Sequence, residues 1–280
     1  MTNETTIEAT QNAIWNGAAG NAWVAAQPAL DAMFEPFEAL LTEPIPEGSR
    51  EAVLDVGCGA GATTIAMARR LGGGGRSVGV DISAPLIAAA TARAARLGSP
   101  ATFVCADAEC HAFGPDSFDR IISRFGVMFF SDPVMAFANL RRAGTSSAEL
   151  RFVAWRDPED NPFMTTAERA AAPLLPHLPP RRRDGPGQFA FTDRNHVARI
   201  LDAAGWRDID IAPLDVACRF AAADLARFAG HLGPVGAALR EADEATRARV
   251  TAAVRTAFEP YVHGPDVRFV AACWMVGARR

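Results

Sequence analysis

The sequence contains no lysine: its 28 basic residues are all arginine. A phosphate-binding loop of the Gly-Lys-Ser or Gly-Lys-Thr type is therefore excluded. Cysteine is sparse and scattered, at Cys58, Cys105, Cys110, Cys218 and Cys273, with no Cys-x-x-Cys pair. That usage fits free thiols in a reducing, cytoplasmic setting. No apolar run approaches the length of a membrane span. Residues 1–12 are polar and acidic, without the basic start and apolar centre of a signal peptide. A basic excess is missing too. The net charge is −4 and the isoelectric point about 5.8, which argues against a general nucleic-acid binder. No internal repeat is present, and no cluster of carboxylates and histidines has the spacing of a metal site.

What is present is apolar mass. With 280 residues and 49% hydrophobic content, the chain can bury a substantial core as one large domain, or as one domain with a cap. The stretch around which it is organised is 53–61, Val-Leu-Asp-Val-Gly-Cys-Gly-Ala-Gly. A short apolar run with an acid inside it leads into Gly57, Gly59 and Gly61, and apolar residues at helical spacing follow. Strand, glycine turn and helix make the first unit of a nucleotide-binding sheet. Glycine permits the sharp turn and removes the Cβ where a ligand approaches, and the helix N-terminus offers unpaired N–H groups.

Along the chain, residues 7–41 read as helical, with Pro28 and Pro36 breaking or starting helical pieces. Strands are expected at 53–56, 77–80, 101–105, 118–123 and 149–155. Helices are expected at 62–71, 85–97 behind a Ser83 cap, and from Asp132 or Pro133 to about Arg142. This alternation implies a parallel, doubly wound α/β sheet. The pattern then changes. Residues 157–188 are rich in proline and arginine, with a helical stretch at 163–175; a capped helix at 193–204 and a strand at 208–216 follow. Residues 221–258 are mostly helical, broken near Gly233-Pro234, and an apolar strand spans 267–276. The segments divide into an N-terminal helical cap (1–51), a cofactor-binding core (52–156), a lid insertion (157–191) and the rest of the core (192–280). That last part carries a helical insertion at about 221–260.

A first turn of this kind suits more than one nucleotide. Nicotinamide and flavin sites prefer Gly-x-Gly-x-x-Gly, whereas here the spacing is Gly-x-Gly-x-Gly; Asp81, at the end of the second strand, fits either reading. Four ordered blocks separate them: 53–61, Val-Gly-Val-Asp-Ile-Ser at 78–83, Phe-Val-Cys-Ala-Asp-Ala-Glu at 103–109, and Phe-Asp-Arg-Ile-Ile-Ser-Arg-Phe-Gly-Val-Met-Phe-Phe at 118–130. In order and spacing they resemble the class I S-adenosylmethionine-dependent methyltransferases over about 52–155. The second half resembles small-molecule methyltransferases only loosely. The resemblance implies a Rossmann-like sheet of seven strands, mostly parallel with an antiparallel last strand, plus helical cap insertions. It also implies S-adenosylmethionine as cofactor, with S-adenosylhomocysteine as product.

The resemblance assigns roles residue by residue. The backbone of Gly57, Cys58, Gly59 and Gly61 lies against the methionine portion and ribose. Asp55 faces the amino end, Asp81 takes the ribose hydroxyls, and Ile82 packs on the adenine. Asp107 accepts from the adenine amino group, the Ala108 N–H donates to the ring, and Glu109 closes that block. Ser123, Arg124 and Phe125 sit where the family lines the methionine tail and the acceptor entrance. Methyl transfer needs alignment and exclusion of water more than a catalytic group. A base is needed only for a protonated acceptor, and His111, His177 and His263 are the candidates. Trp15, Trp23, Phe189 and Phe191 are candidate acceptor-lining residues, with core packing as the alternative for each, as it is for Phe125 and Ile82. Arg181-Arg182-Arg183 reads as a solvated run or as a hold on an anionic acceptor. The expected function is methylation of a small, partly apolar molecule by a cytoplasmic monomer or homodimer, without nucleic-acid or membrane partners. The alternatives are a non-catalytic cofactor-binding protein and a nicotinamide-dependent oxidoreductase.

Overall fold

The computed structural model describes residues 11–178 and 185–280; the Arg181-Arg182-Arg183 run lies outside them. Helical residues 11–16 lead into α1 (Ala18–Ala25) and α2 (Gln27–Thr42). Then β and α alternate: β1 (Ala52–Val56), α3 (Ala62–Leu71), β2 (Arg76–Asp81), α4 (Ala84–Leu97), β3 (Thr102–Cys105), β4 (Phe118–Arg124), α5 (Pro133–Ala143) and β5 (Gly144–Trp155). The second half runs α6 (Pro162–Ala171), α7 (Arg194–Ala203), β6 (Arg207–Ala221), α8 (Leu225–His231), α9 (Gly233–Glu241), α10 (Glu244–Phe258), β7 (Val262–His263) and β8 (Asp266–Arg279).

The strands form one sheet in the order β3-β2-β1-β4-β5-β8-β6, with the two-residue β7 paired to β8 as an eighth. β1 to β5 are parallel, and β8 runs antiparallel to both β5 and β6. Strand order reverses between β1 and β4, so the sheet's ligand crevice opens at the carboxyl end of β1, where the glycine turn lies.

Local chemistry explains most boundaries. Ser83, Asp132 and Asp193 cap α4, α5 and α7 by accepting backbone N–H groups. The N-terminal helix breaks at Gly17 and Ala26, and Pro28 sits in the first turn of α2. Pro36 does not break it, contrary to expectation. The carbonyl its ring leaves unbonded belongs to exposed Ala32, while the face carrying Leu30, Met33, Phe34, Phe37 and Leu41 is buried.

β6 and β8 are longer than their apolar runs suggested. β8 leaves β5 at Cys273 but stays paired to β6 as far as Asp266. The two strands thus project as a ribbon beyond the carboxyl end of β5, with α8 to α10 between them in sequence. Where the ribbon meets α6, Phe163 stacks on Phe269 at 3.9 Å and is ringed by Phe220, Phe228, Phe258 and Tyr261. Buried Asn161 ties this layer to the sheet. Its Nδ2 donates to Ala272 O (2.9 Å), and its Oδ1 accepts from Ala272 N (2.9 Å). Asn161→Ala leaves the Ala272 N–H without its partner inside the protein and should cost about 1–3 kcal/mol, read as a lowered midpoint in urea denaturation.

Candidate cofactor site

Gly57, Gly59 and Gly61 all have positive φ, 67°, 53° and 80°, and each is glycine for its own reason. A Cβ on Gly57 would stand 2.5 Å from Cα of Gly126, and one on Gly61 would stand 2.8 Å from the Phe103 ring. A Cβ on Gly59 would meet nothing within 4 Å; it would project into the space in front of the turn. The first and third glycines therefore let the β1 turn pack against the chain after β4 and against β3, and the second faces open space. Gly126 was not singled out in the sequence, yet its own Cβ would stand 2.6 Å from both Gly57 Cα and Val56 O. Gly57→Ala combines such a clash with a positive φ. It should lower stability by about 1–3 kcal/mol, a drop in Tm of roughly 5 °C in a thermal melt.

Asp81 holds this turn in place. Its Oδ2 accepts from Gly59 N (2.8 Å) and its Oδ1 from Ser83 N (2.9 Å). Burial raises its pKa, and the two amides oppose that shift. Each oxygen keeps a free lone pair for a hydroxyl. Asp55 is 1% exposed, and its Oδ2 accepts from the Thr64 hydroxyl at 2.6 Å; burial pushes its pKa up to about 7. Burial also pushes the Cys58 thiol upward, so its part in the turn is its backbone.

Beside β2, Ile82 is half-buried, and Asp107 Oδ1 accepts from Glu109 N at 2.9 Å. Ala108 is buried, and its carbonyl accepts from Asn139. The Glu109 carboxylate is turned to the Ser131 and Asp132 amides, at 2.5 and 3.0 Å, and so braces the start of α5. Buried Ser123 likewise accepts from Gly126 N and Val127 N, closing the turn after β4. Arg124 places its guanidinium over the Phe34 ring and donates to Phe34 O across 3.5 Å.

The aromatic candidates divide. Phe125 has φ 65° and stacks on Trp155 at 4.5 Å, with Phe34 and Phe37 against it. At 8% exposed it anchors α2 to the sheet, as its core alternative has it. Phe191 is likewise core, stacked near Phe137 and Phe152, and Phe189 is 2% exposed. Trp15 and Trp23 are half-buried and meet edge to face at 5.6 Å, and Trp15 also meets Phe129 at 5.2 Å. His177 and His263 are exposed. His111 packs on Phe113 at 4.6 Å, in the turn after Asp107.

Comparison with known proteins agrees with this geometry. Residues 53–145 match a family model described as a methyltransferase domain. The chain is 39% identical over 94 residues to nocamycin O-methyltransferase of Saccharothrix syringae, covering 32% of this chain and 34% of that protein. It is 29% identical over 153 residues to aklanonic acid methyltransferase DauC of Streptomyces sp. strain C5, covering 51% and 66%. The chain thus spans less than two thirds of the length of either relative. In fold it is similar to the YcgJ protein of Bacillus subtilis, with TM-score 0.56 and 18% identity over 88% of this chain and 98% of that one. Sheet order, glycine turn and strand-end acids thus agree with the match of residues 53–145 to a methyltransferase domain.

Proposed function

We propose that this protein transfers a methyl group from S-adenosylmethionine to a small, partly apolar acceptor. The observation that carries the reading is the open space in front of Gly59, whose amide is fixed by the strand-end carboxylate of Asp81. A ribose lying there meets backbone without a Cβ and a carboxylate with lone pairs to spare. Asp107 and the Ala108 amide are assigned to the adenine edge, and Asp55 to the amino group. Arg124, which among the described residues makes one long bond to a carbonyl, is assigned to the carboxylate. Bound in this way, the cofactor supplies a methyl carbon activated by its sulfonium leaving group, ready for in-line displacement.

The protein's own contribution is alignment and the exclusion of water. The half-buried rings of Trp15, Trp23 and Phe129 suit the second task. None of the three histidines is assigned as a base: two are exposed, and His111 lies on the adenine side. An acceptor of natural-product type is supported by the two relatives named for nocamycin and aklanonic acid, and the acidic isoelectric point weighs against a nucleic acid. Among the described residues no helix is long and apolar enough to cross a membrane.

Calorimetric titration with S-adenosylmethionine, S-adenosylhomocysteine and NADH tests the cofactor. Binding of the first two alone is expected, and binding of NADH alone would overturn the reading. Release of S-adenosylhomocysteine with a panel of small hydroxylated and carboxylic acceptors then tests the transfer.

A further inference from the structure

Residues 15–20 are anchored at the β2–α4 turn, and from there the Trp15 ring reaches to Phe129 after β4. On the β2 side, the Asn16 side chain makes two bonds to the turn before α4. Its Nδ2 donates to Ile82 O (3.0 Å), and its Oδ1 accepts from Ala84 N (2.8 Å). Between them the Ser83 hydroxyl donates to Trp15 O at 2.7 Å. Gly20 lets α1 settle against Trp15 and the same turn: a Cβ there would stand 2.0 Å from Trp15 O, 2.9 Å from Ser83 Oγ and 3.1 Å from Pro85 Cγ. On the β4 side, the Trp15 ring meets Phe129, just beyond the Gly126 turn. The carboxyl end of β1, with its glycine turn, lies between these two anchor points in the strand order β2-β1-β4.

We propose that Asn16 is a positioning residue of the cofactor site. It latches the N-terminal segment to the β2–α4 turn, so that Trp15 roofs the space in front of the glycine turn and slows cofactor release. The inference rests on the S-adenosylmethionine reading above. Asn16 itself is exposed and touches the backbone on either side of Ser83, the neighbour of the proposed ribose and adenine residues Asp81 and Ile82. It acts through them and through Trp15. The arrangement needs an amide: a donor for the Ile82 carbonyl and an acceptor for the Ala84 N–H on one short side chain.

The test is stopped-flow dissociation of S-adenosylhomocysteine from wild type, Asn16→Ala, Asn16→Asp and Gly20→Ala, followed by tryptophan fluorescence. Asn16→Ala loses both bonds. Asn16→Asp keeps the acceptor but sets a carboxylate against the Ile82 carbonyl. Gly20→Ala lifts the segment independently. All three are expected to dissociate about tenfold faster or more, with association rates changed far less and Tm nearly unaltered in the two Asn16 variants, because Asn16 is exposed. Wild-type dissociation rates in all three variants would overturn the latch while leaving the cofactor reading intact. A fall in Tm with wild-type dissociation would show a merely structural contact and would also overturn it. Failure of wild type to bind S-adenosylhomocysteine would instead strike the reading beneath.

Discussion

Replacing Asp81 with alanine should weaken S-adenosylhomocysteine binding by about 100-fold or more, measured calorimetrically. The loss has two sources. A hydrogen bond from a ribose hydroxyl to a charged carboxylate contributes about 1.5–3 kcal/mol, or roughly 10- to 150-fold. The same carboxylate also anchors Gly59 N and Ser83 N, so its removal frees the glycine turn against which the cofactor would lie. Asp81→Asn separates the two effects. The amide keeps one acceptor oxygen, so it can hold one of the two amides but not both, and an intermediate loss of about tenfold is expected. Unchanged affinity in Asp81→Ala would remove the strand end from the site.

That an acid closes β2 at Asp81 was legible in the sequence; what it touches was not. An acid at a strand end some twenty residues past a glycine turn is a local pattern, and so are the caps at Ser83, Asp132 and Asp193. The tie from Asp81 to Gly59 is a contact between neighbouring strand ends, and it appears only when β1 and β2 lie side by side. Gly126 shows the same limit. In sequence it is one glycine after a strand; in space it faces Gly57 backbone to backbone.

Length was harder to read than identity. β5 begins at Gly144, ahead of its apolar run, because Thr145, Ser146 and Ser147 extend it through polar residues. β6 is an edge strand with one side open to water. It carries Asp210, Pro213 and Asp215 among its exposed positions while burying Val216, Cys218 and Phe220 at alternate ones. Its apolar signal is therefore half that of a central strand, and Pro213 is tolerated there. The rings of Phe125 and Phe191 could not be told from lining residues by sequence. Both are apolar residues beside turns, and only their stacking partners make them core.

Asp55 gives the second large effect, and it is one of pH. Its pKa of about 7 in the folded chain stands well above an unfolded carboxyl near 3.9. Between those values the folded chain holds a proton that the unfolded chain has released, so stability falls as pH rises through the interval and levels off above pH 7. For this group alone, the fall from pH 5 to pH 8 is about 3 kcal/mol. It is measured as the difference in urea stability between wild type and Asp55→Asn, which keeps an acceptor for the Thr64 hydroxyl. Thr64 faces the carboxylate from α3, Arg124 from β4, Asp81 from β2 and Glu38 from α2, with Cys58 in its own turn. Desolvation outweighs the pull of Arg124. An α-ammonium group brought beside Asp55 would reverse that balance and draw the proton off. Binding of S-adenosylhomocysteine at pH 6 should then release close to one proton, dwindling toward pH 8, as read by calorimetry in two buffers of different ionisation enthalpy. Asp55→Asn should release none. Wild-type binding without proton release would separate Asp55 from the amino end of the cofactor and leave it a carboxyl buried to hold Thr64.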